Sequence, residues 1–421
     1  MTVLHVIASM DPRHGGVCQA VRTIIQGLQP LGIQNEVASL DDPAGPSHDG
    51  DHFPHARLGP ASGPWQYGRG LKSWLQSHLE RFDAVILHGL WLYHGYALRR
   101  TVQSIRVRGG KAPRFLVMPH GMLDPYFQKD PSRRLKAVRN EIYWKVIERK
   151  TVNDADGLLF TCEEEKRLAR LAFQPYRPAG EHIVGLGVDF PPPFTDTMAS
   201  AFAVKCAELA GRPYLLFLSR LHAKKGIDIL IQTWAEMAAQ GTGAGRAGFP
   251  SLVVAGPLDT AYAEEMRQLA ERLCPPASAS IKPSIFFPGM LQGDAKWGAF
   301  YGCLAFVLPS HQENFGIAVV EAQACGKPVL ISEKVNIWRE ITAGGAGWAA
   351  EDSGAGVRRL ISDFLALTPE KSAALPRQAM ECYLENFGVE GAGRRLAAVL
   401  NPAGSESRRA PPLPFPSSFA P

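Results

Sequence analysis

Two glutamates, Glu313 and Glu321, bracket one short stretch of the chain, PSHQENFGIAVVEAQACGKPVLIS at positions 309–332. If both lay in one helix they would stand about 80° apart around its axis and about 12 Å along it. Carboxylates so placed could meet one extended ligand at different depths. A helix beginning just after Glu313 would aim free N–H groups at an anion, and Gly316 would let backbone come close to it. The alternative is a buried helix with a solvated glutamate near its start. Upstream, Arg220 and Lys225 stand five residues apart around a second turn. A guanidinium that forks to two oxygens, beside a compact ammonium, suits a diphosphate.

These side chains need elements to hold them. LAFVLP at 304–309 reads as a buried parallel strand, 315–325 as a helix stopped by Gly326, and PVLIS as the next strand. The Glu313 turn therefore falls at the carboxyl end of a strand, where open α/β sheets take their ligands. YLLFLSRL at 214–221 is likewise a strand that runs through HAKKGID into a helix at 229–239. SLVVAGP, IFFPGM and GWAAE continue the alternation, with a glycine-rich loop at 241–248 and an amphipathic helix at 261–273 that read as structural.

The first half repeats the pattern with VLHVIA (3–8), EVASL (36–40), AVILHG (84–89), RFLVMPHG (114–121), GLLFT (157–161) and HIVGLG (182–187). Such spacing implies parallel sheets covered by helices. Residues 41–64, rich in Asp, Pro, Gly and His, read as a loop. Gly15 and Gly16 occupy the first strand-to-helix turn, ahead of a helix at 20–28, either to admit a ligand or simply to turn the chain. No GxGxxG dinucleotide fingerprint is present. His88 and His120 stand at two carboxyl strand ends. One histidine there is ordinarily a satisfied structural group; two in one sheet raise the prospect of a site.

A chain of 421 residues exceeds a usual single domain and implies two. The triple proline of FPPPFTD at 190–196 is the linker candidate, giving domains at 1–192 and 193–385. Residues 386–400 form a last helix that could pack back on the first domain, and 401–421, with six prolines, read as a disordered tail. A formal charge of +5 is too small to imply nucleic acid, and 46% hydrophobic residues leave ample core. Seven scattered cysteines without a CxxC pair point to a reduced, cytoplasmic setting rather than disulfides or zinc. MTVLHVIASMD lacks the features of a signal peptide, and no apolar run reaches membrane-spanning length. Between Arg99 and Lys150, fourteen Lys and Arg meet four Asp and Glu, interleaved at 135–147 with Val138, Ile142, Tyr143, Trp144 and Val146. That helix could lie on the anionic inner face of a membrane or hold a phosphorylated acceptor; a plain solvated face is the alternative.

Together the pieces resemble a known family. SRLHAKKGIDILI resembles the donor-phosphate motif of retaining GT-B glycosyltransferases, and ENFGIAVVE their E-x7-E motif. Their order and separation fit family four of these group 1 enzymes, as does the first-domain Gly-Gly turn. MPHGMLDP and VNIWREI resemble a branch that builds bacterial surface polysaccharides. The resemblance, over roughly residues 1–400, implies two Rossmann-like doubly wound parallel-sheet domains facing across a cleft. It implies retaining transfer from a nucleotide-sugar to a glycan or lipid-linked glycan, with no cofactor and no metal. By the same resemblance, Arg220 and Lys225 would hold the donor diphosphate, Glu313 the sugar and Glu321 the ribose. Backbone N–H groups of Asn314, Phe315, Gly316 and Ile317 would meet sugar and phosphate. Gly15 and Gly16 would approach the diphosphate from the opposite domain, with His120 near the reactive face of the sugar. Leu186 departs from the asparagine of many relatives, so no donor contact is expected there. A nucleotide-sugar epimerase and a non-catalytic nucleotide-sugar-binding protein are the competing readings.

Overall fold

The computed structural model describes residues 1–14, 16–45, 50–129, 134–240, 249–274, 284–345 and 347–401. Gly15, the glycine-rich loop at 241–248 and the tail from 402 lie outside the described residues, as do Asp130 and Arg133 of the basic segment. The chain forms two compact units, the first holding residues 1–189 and 388–401, the second 190–387.

In the first unit, seven strands pair in parallel: β1 (Thr2–Val6), β2 (Gln34–Ser39), β3 (His55–Arg57), β4 (Ala84–His88), β5 (Arg114–Met118), β6 (Gly157–Phe160) and β7 (Glu181–Ile183). Their order is β3-β2-β1-β4-β5-β6-β7. The apolar runs read from sequence become strands because helices cover both faces and every central side chain is buried. β3 corrects the expectation of a loop over 41–64. His55, Ala56 and Arg57 are only half-buried at the sheet edge, so they carry no apolar run.

One face of this sheet is covered by the helix Gly16–Leu28 and the last helix, Val389–Leu400. Ile24, Leu28, Leu396 and Leu400 join Val3, Ile86 and Met118 in one core cluster. The two helices cross at glycines. A Cβ on Gly393 would lie 2.3 Å from the Gly27 carbonyl oxygen, so only glycine allows this approach. Arg395 Nε also donates to the Val184 carbonyl at 3.1 Å.

The second unit has six parallel strands: β8 (Tyr214–Leu218), β9 (Ser251–Ala255), β10 (Ile285–Gly289), β11 (Ala305–Leu308), β12 (Val329–Ser332) and β13 (Gly347–Ala350). Their order is β10-β9-β8-β11-β12-β13. In each unit the winding reverses once, between β1 and β4 in the first and between β8 and β11 in the second. Crevices at such reversals, beyond the carboxyl ends of the strands, are where doubly wound sheets bind ligands.

Candidate functional site

In the second unit the reversal brings three turns together. After β8 the chain passes Arg220, which is exposed, and enters a short 3-10 turn, Ala223–Lys225. Gly226 leaves that turn at φ 65°. A Cβ there would stand 2.2 Å from the Pro309 carbonyl oxygen, so the turns after β8 and β11 touch through backbone. His311 N and Ser310 Oγ both donate to the Lys224 carbonyl, at 2.7 and 2.9 Å. The turn after β12 closes the group: Glu313 N donates to the Lys334 carbonyl at 2.9 Å, and Asn336 N to the Glu313 carbonyl at 3.0 Å.

This scaffold fixes Lys225 Nζ against Glu313 Oε2 as an ion pair with both side chains largely shielded. Lys224 Nζ donates to Gln312 Oε1 at 3.2 Å. Among the described residues Arg220 makes no ion pair, so its charge stays available. The cationic character of the corner is felt by His222, held below its ordinary value by partial burial and by Lys224, Arg220 and Lys225. Arg forks and ammonium groups at a strand-to-helix turn have the chemistry that suits an anion.

Glu313 lies in the turn, as expected, and the helix expected over 315–325 starts two residues later. The helix runs Ile317–Ala324, and Glu313 lies before it, bridged to Val335. Gly316, at φ 81°, makes the entry, and its left-handed conformation replaces the helical start that the apolar pattern suggested. Asn314 is half-buried, with its Oδ1 3.4 Å from Asn336 Nδ2. Phe315 instead turns inward, buried edge-on against Phe387, so only its backbone can serve a ligand. Ile317 opens the helix half-buried, at the end where N–H groups are free of intrahelical partners. Glu321 sits inside the helix and accepts from Lys296 Nζ at 2.6 Å. Burial pushes its carboxyl up, while Lys296 opposes that shift.

In the first unit the reversal is flanked by the turn after β1. Asp41 pins it, accepting from Ser9 Oγ at 2.5 Å, Met10 N at 2.8 Å and Ser39 Oγ at 2.7 Å. The helix after this turn begins at Gly16, earlier than the apolar pattern indicates. A Cβ on Gly16 would meet nothing within 4 Å, so the fold does not need glycine there. A cavity of about 240 Å³ lies above the strand ends, lined by Ile7, Ser9, Cys18, His88 and Met122.

His120, just beyond β5, adopts a left-handed backbone at φ 51°, uncommon for a residue with a Cβ. Gly121 follows at φ 78° and its N–H donates to Glu165 Oε1 at 2.6 Å. Glu165, buried, also accepts from Thr161 N and Oγ1 at 2.7 and 2.6 Å. On its other side His120 Nε2 meets His88 Nδ1 at 3.0 Å, and His88 Nε2 meets His5 Nδ1 at 2.9 Å. Burial lowers all three imidazoles, His5 and His120 to about 4 and His88 well below its ordinary value. Leu186 is buried.

The family model of the glycosyl transferases group 1 matches residues 204–379, and that of the glycosyl transferase 4-like domain matches residues 15–187. The chain belongs to the group 1 glycosyltransferases. This glycosyltransferase is 25% identical, over 299 residues, to a GDP-mannose-dependent alpha-(1-6)-phosphatidylinositol monomannoside mannosyltransferase of Mycolicibacterium smegmatis, covering 67% of this chain and 74% of that one. A D-inositol 3-phosphate glycosyltransferase of Acidothermus cellulolyticus matches at 28% identity, covering 32% and 29%. Another, from Catenulispora acidiphila, matches at 30%, covering 47% and 46%. The chain thus matches less than half the length of these last two relatives. Among solved structures, Anabaena HepE in complex with UDP and glucose superposes with a TM-score of 0.69 at 17% identity, covering 96% of this chain and 100% of HepE. A glycosyltransferase from Rickettsia africae gives 0.70 at 16%, covering 96% and 99%. The likeness extends over nearly the whole chain. The fold is GT-B.

Several residues of this glycosyltransferase's two sites escaped the sequence reading. Lys296 lies in GDAKWGAF, where a lone lysine carries no signal; only the need of a half-buried Glu321 for a cation pointed to such a partner. His5 was absorbed into the apolar run VLHVIA and Asn35 lies just before EVASL. Glu165 stands among three glutamates that read as an ordinary acidic first turn.

Proposed function

We propose that this protein transfers a sugar, with retention and without a metal, from a nucleotide-diphosphate-sugar to a glycan or lipid-linked glycan acceptor in polysaccharide assembly. The observation that carries this reading is the corner of Arg220, Lys225 and Glu313 at the reversal of the second sheet. Arg220 and Lys225 take the diphosphate, and their positive charge gains strength as the leaving phosphate becomes more negative. Glu313 holds Lys225 in place and receives a sugar hydroxyl, while the N–H groups of Asn314 to Ile317 meet sugar and phosphate. Glu321, paired with Lys296, takes the ribose hydroxyls. The bond from the anomeric carbon to the diphosphate oxygen breaks with its electron pair on that oxygen. The acceptor oxygen bonds to the same face of that carbon, and its proton passes to a phosphate oxygen. The family resemblance further assigns Gly15 and Gly16 to the diphosphate and His120 to the sugar. Relatives named for transfer to inositol 3-phosphate and to a phosphatidylinositol mannoside, and a neighbour crystallised with UDP and glucose, support a nucleotide-sugar as donor.

A membrane-bound acceptor is supported by the helix Arg134–Tyr143 and the π-helical turn Trp144–Glu148. Val138, Ile142 and Val146, one helical turn apart, are each about 60% exposed and flanked by Lys136, Arg139, Lys145 and Lys150. A stripe of this composition fits an anionic bilayer surface. No helix among the described residues is long and apolar enough to cross a membrane.

The test is a product assay with a panel of nucleotide-sugars, with and without acceptor. Glycosylated acceptor that is lost in Lys225→Ala and Glu313→Ala supports the reading. A changed free nucleotide-sugar without acceptor would replace it with epimerisation. Donor binding with no turnover on any acceptor would replace it with a binding role.

A further inference from the structure

The histidines of the first unit form a continuous chain across four neighbouring strands. Asn35 on β2 meets His5 on β1, His5 meets His88 at the end of β4, and His88 meets His120 beyond β5, at 3.1, 2.9 and 3.0 Å. His5 and His88 are fully buried, and consecutive rings lie near-parallel, 5.2 and 5.3 Å apart between centroids. A chain of neutral imidazoles must have a direction, because each ring offers one donor and one acceptor. Either every Nε2 carries the proton or every Nδ1 does.

One carbonyl decides which. Asn35 Nδ2 donates to the Ile33 carbonyl oxygen at 2.9 Å. That oxygen can only accept, so the amide nitrogen of Asn35 must face it and the amide oxygen must face His5. Asn35 Oδ1 in turn can only accept, so His5 carries its proton on Nε2. His5 Nδ1 is then an acceptor, which requires His88 to be protonated on Nε2. His88 Nδ1 is likewise an acceptor, which requires His120 to be protonated on Nε2. The last free nitrogen, His120 Nδ1, is left with a lone pair and has no protein partner among the described residues. Burial keeps the rings neutral at ordinary pH, so no second proton erases this order.

We infer that Asn35, His5 and His88 are positioning residues that fix His120 as the Nε2–H tautomer and present its Nδ1 as a hydrogen-bond acceptor for a substrate hydroxyl. The left-handed backbone of His120, held through Gly121 by Glu165, is the second observation pointing the same way. The ring is oriented from one side by its neighbour's imidazole and from the other by a constrained main chain. The tautomer assignment depends only on the first unit; the role of the acceptor nitrogen rests on the transferase reading above.

The two are separated by measuring the tautomer directly. Protein labelled with 15N-histidine is observed by long-range 15N–1H correlation at pH 7.5 without donor or acceptor, each ring being assigned from a single His→Gln variant. The wild type is expected to show His5, His88 and His120 each as a single Nε2–H tautomer. In Asn35→Leu, which removes the terminal acceptor, the chain loses its preferred direction and His120 becomes a mixture of two tautomers. Asn35→Asp, which keeps an acceptor at the same place, restores the wild-type pattern. His120 protonated on Nδ1, or charged, in the wild type overturns the assignment, as does an unchanged His120 signature in Asn35→Leu. Kinetics then address the role. Asn35→Leu is expected to lower kcat with unchanged KM for the donor, and Asn35→Asp to recover it. Equal rates in all three proteins, alongside the expected tautomer change, leave His120 Nδ1 without a part in the reaction and overturn that half of the inference.

Discussion

Lys225 and Glu313, eighty-eight positions apart in the chain, form an ion pair across the turns that follow β8 and β11. Each member alone would be a charge partly withdrawn from water; together they preset an ammonium at the proposed diphosphate corner. The pair therefore has both a structural and a functional part, which substitution can separate. Glu313→Gln keeps the shape and a hydrogen-bond acceptor but removes the charge. It is expected to destabilise the second unit by about 1–2 kcal/mol while lowering kcat by about 10²-fold or more, because an oriented charge acts mainly where charge develops. Denaturant melts beside steady-state rates read the two effects. Stability falling in step with activity, with an unfolded protein as the cause, would remove the functional part.

Gly27 and Gly393 give a packing prediction for the first unit. Gly393→Ala places a methyl group 2.3 Å from the Gly27 carbonyl oxygen, so the helices must separate. A cost of about 1–3 kcal/mol follows from overpacking of this kind, a drop of several degrees in Tm. Gly16→Ala serves as the contrast, since its Cβ would meet nothing within 4 Å. That variant should keep the wild-type Tm yet transfer more slowly, because the proposed diphosphate approach is what needs the space. Calorimetry and rate measurements on both variants check the pair of outcomes.

Stability should depend on pH in a way the buried groups dictate. Burial lowers His5, His94 and His120 from 6.5 to about 4, and His88 well below 6.5, so the unfolded chain binds protons that the folded one refuses. Their contribution is fully present above 6.5 and is lost as pH falls towards 4, at up to about 1.4 kcal/mol per pH unit for each. Glu148, fully buried, is raised to about 8 from 4.5 by desolvation, which a backbone hydrogen bond from Trp91 only partly opposes. Its contribution runs the other way, fully present below 4.5 and lost as pH rises through 8. In the first unit four histidines outweigh Glu148 between 4.5 and 6.5; above that the loss follows the buried carboxyls, Glu148 there and Glu321 in the second unit. Maximum stability near pH 6.5 with a steep acid limb is expected from melts across pH 4.5–8. A first unit more stable at pH 5 than at 6.5 would contradict the assignment.

The exposed stripe of Val138, Ile142 and Val146 predicts salt-sensitive binding to vesicles containing anionic lipid. Cosedimentation should fall when the three are changed to Ser, and again when Lys136, Arg139 and Lys145 are changed to Gln, with only the second set altering the salt dependence. Absence of binding at low salt would leave the stripe a solvated face.

The strand pattern was readable because parallel strands covered on both faces must be apolar along their length, as in VLHVIA or LAFVLP. What was not readable is instructive in physical terms. β3 is held at an edge by pairing, not by its own burial, so HAR leaves no trace. The helix was expected from Phe315 because Phe315 to Cys325 has helical spacing. Only the positive φ of Gly316 reveals that the helix starts later, and spacing cannot encode a dihedral angle. Arg220, Lys225 and Glu313 were visible as a motif, yet the three touching turns that hold them depend on backbone contacts between distant segments. The histidine chain was half visible: His88 and His120 stand at strand ends, but His5 and Asn35 join them only through the register of β1 with β2 and β4.

The most direct measurement for the donor corner is calorimetric titration of UDP and GDP into the wild type, Lys225→Ala, Arg220→Ala and, as a control away from the corner, Arg377→Ala. The reading predicts saturable binding of one nucleotide diphosphate by the wild type. Each corner variant should weaken it by about tenfold or more, the loss of one charge-assisted hydrogen bond to phosphate, with Arg377→Ala unchanged. Binding of equal strength in Lys225→Ala and the wild type would contradict it.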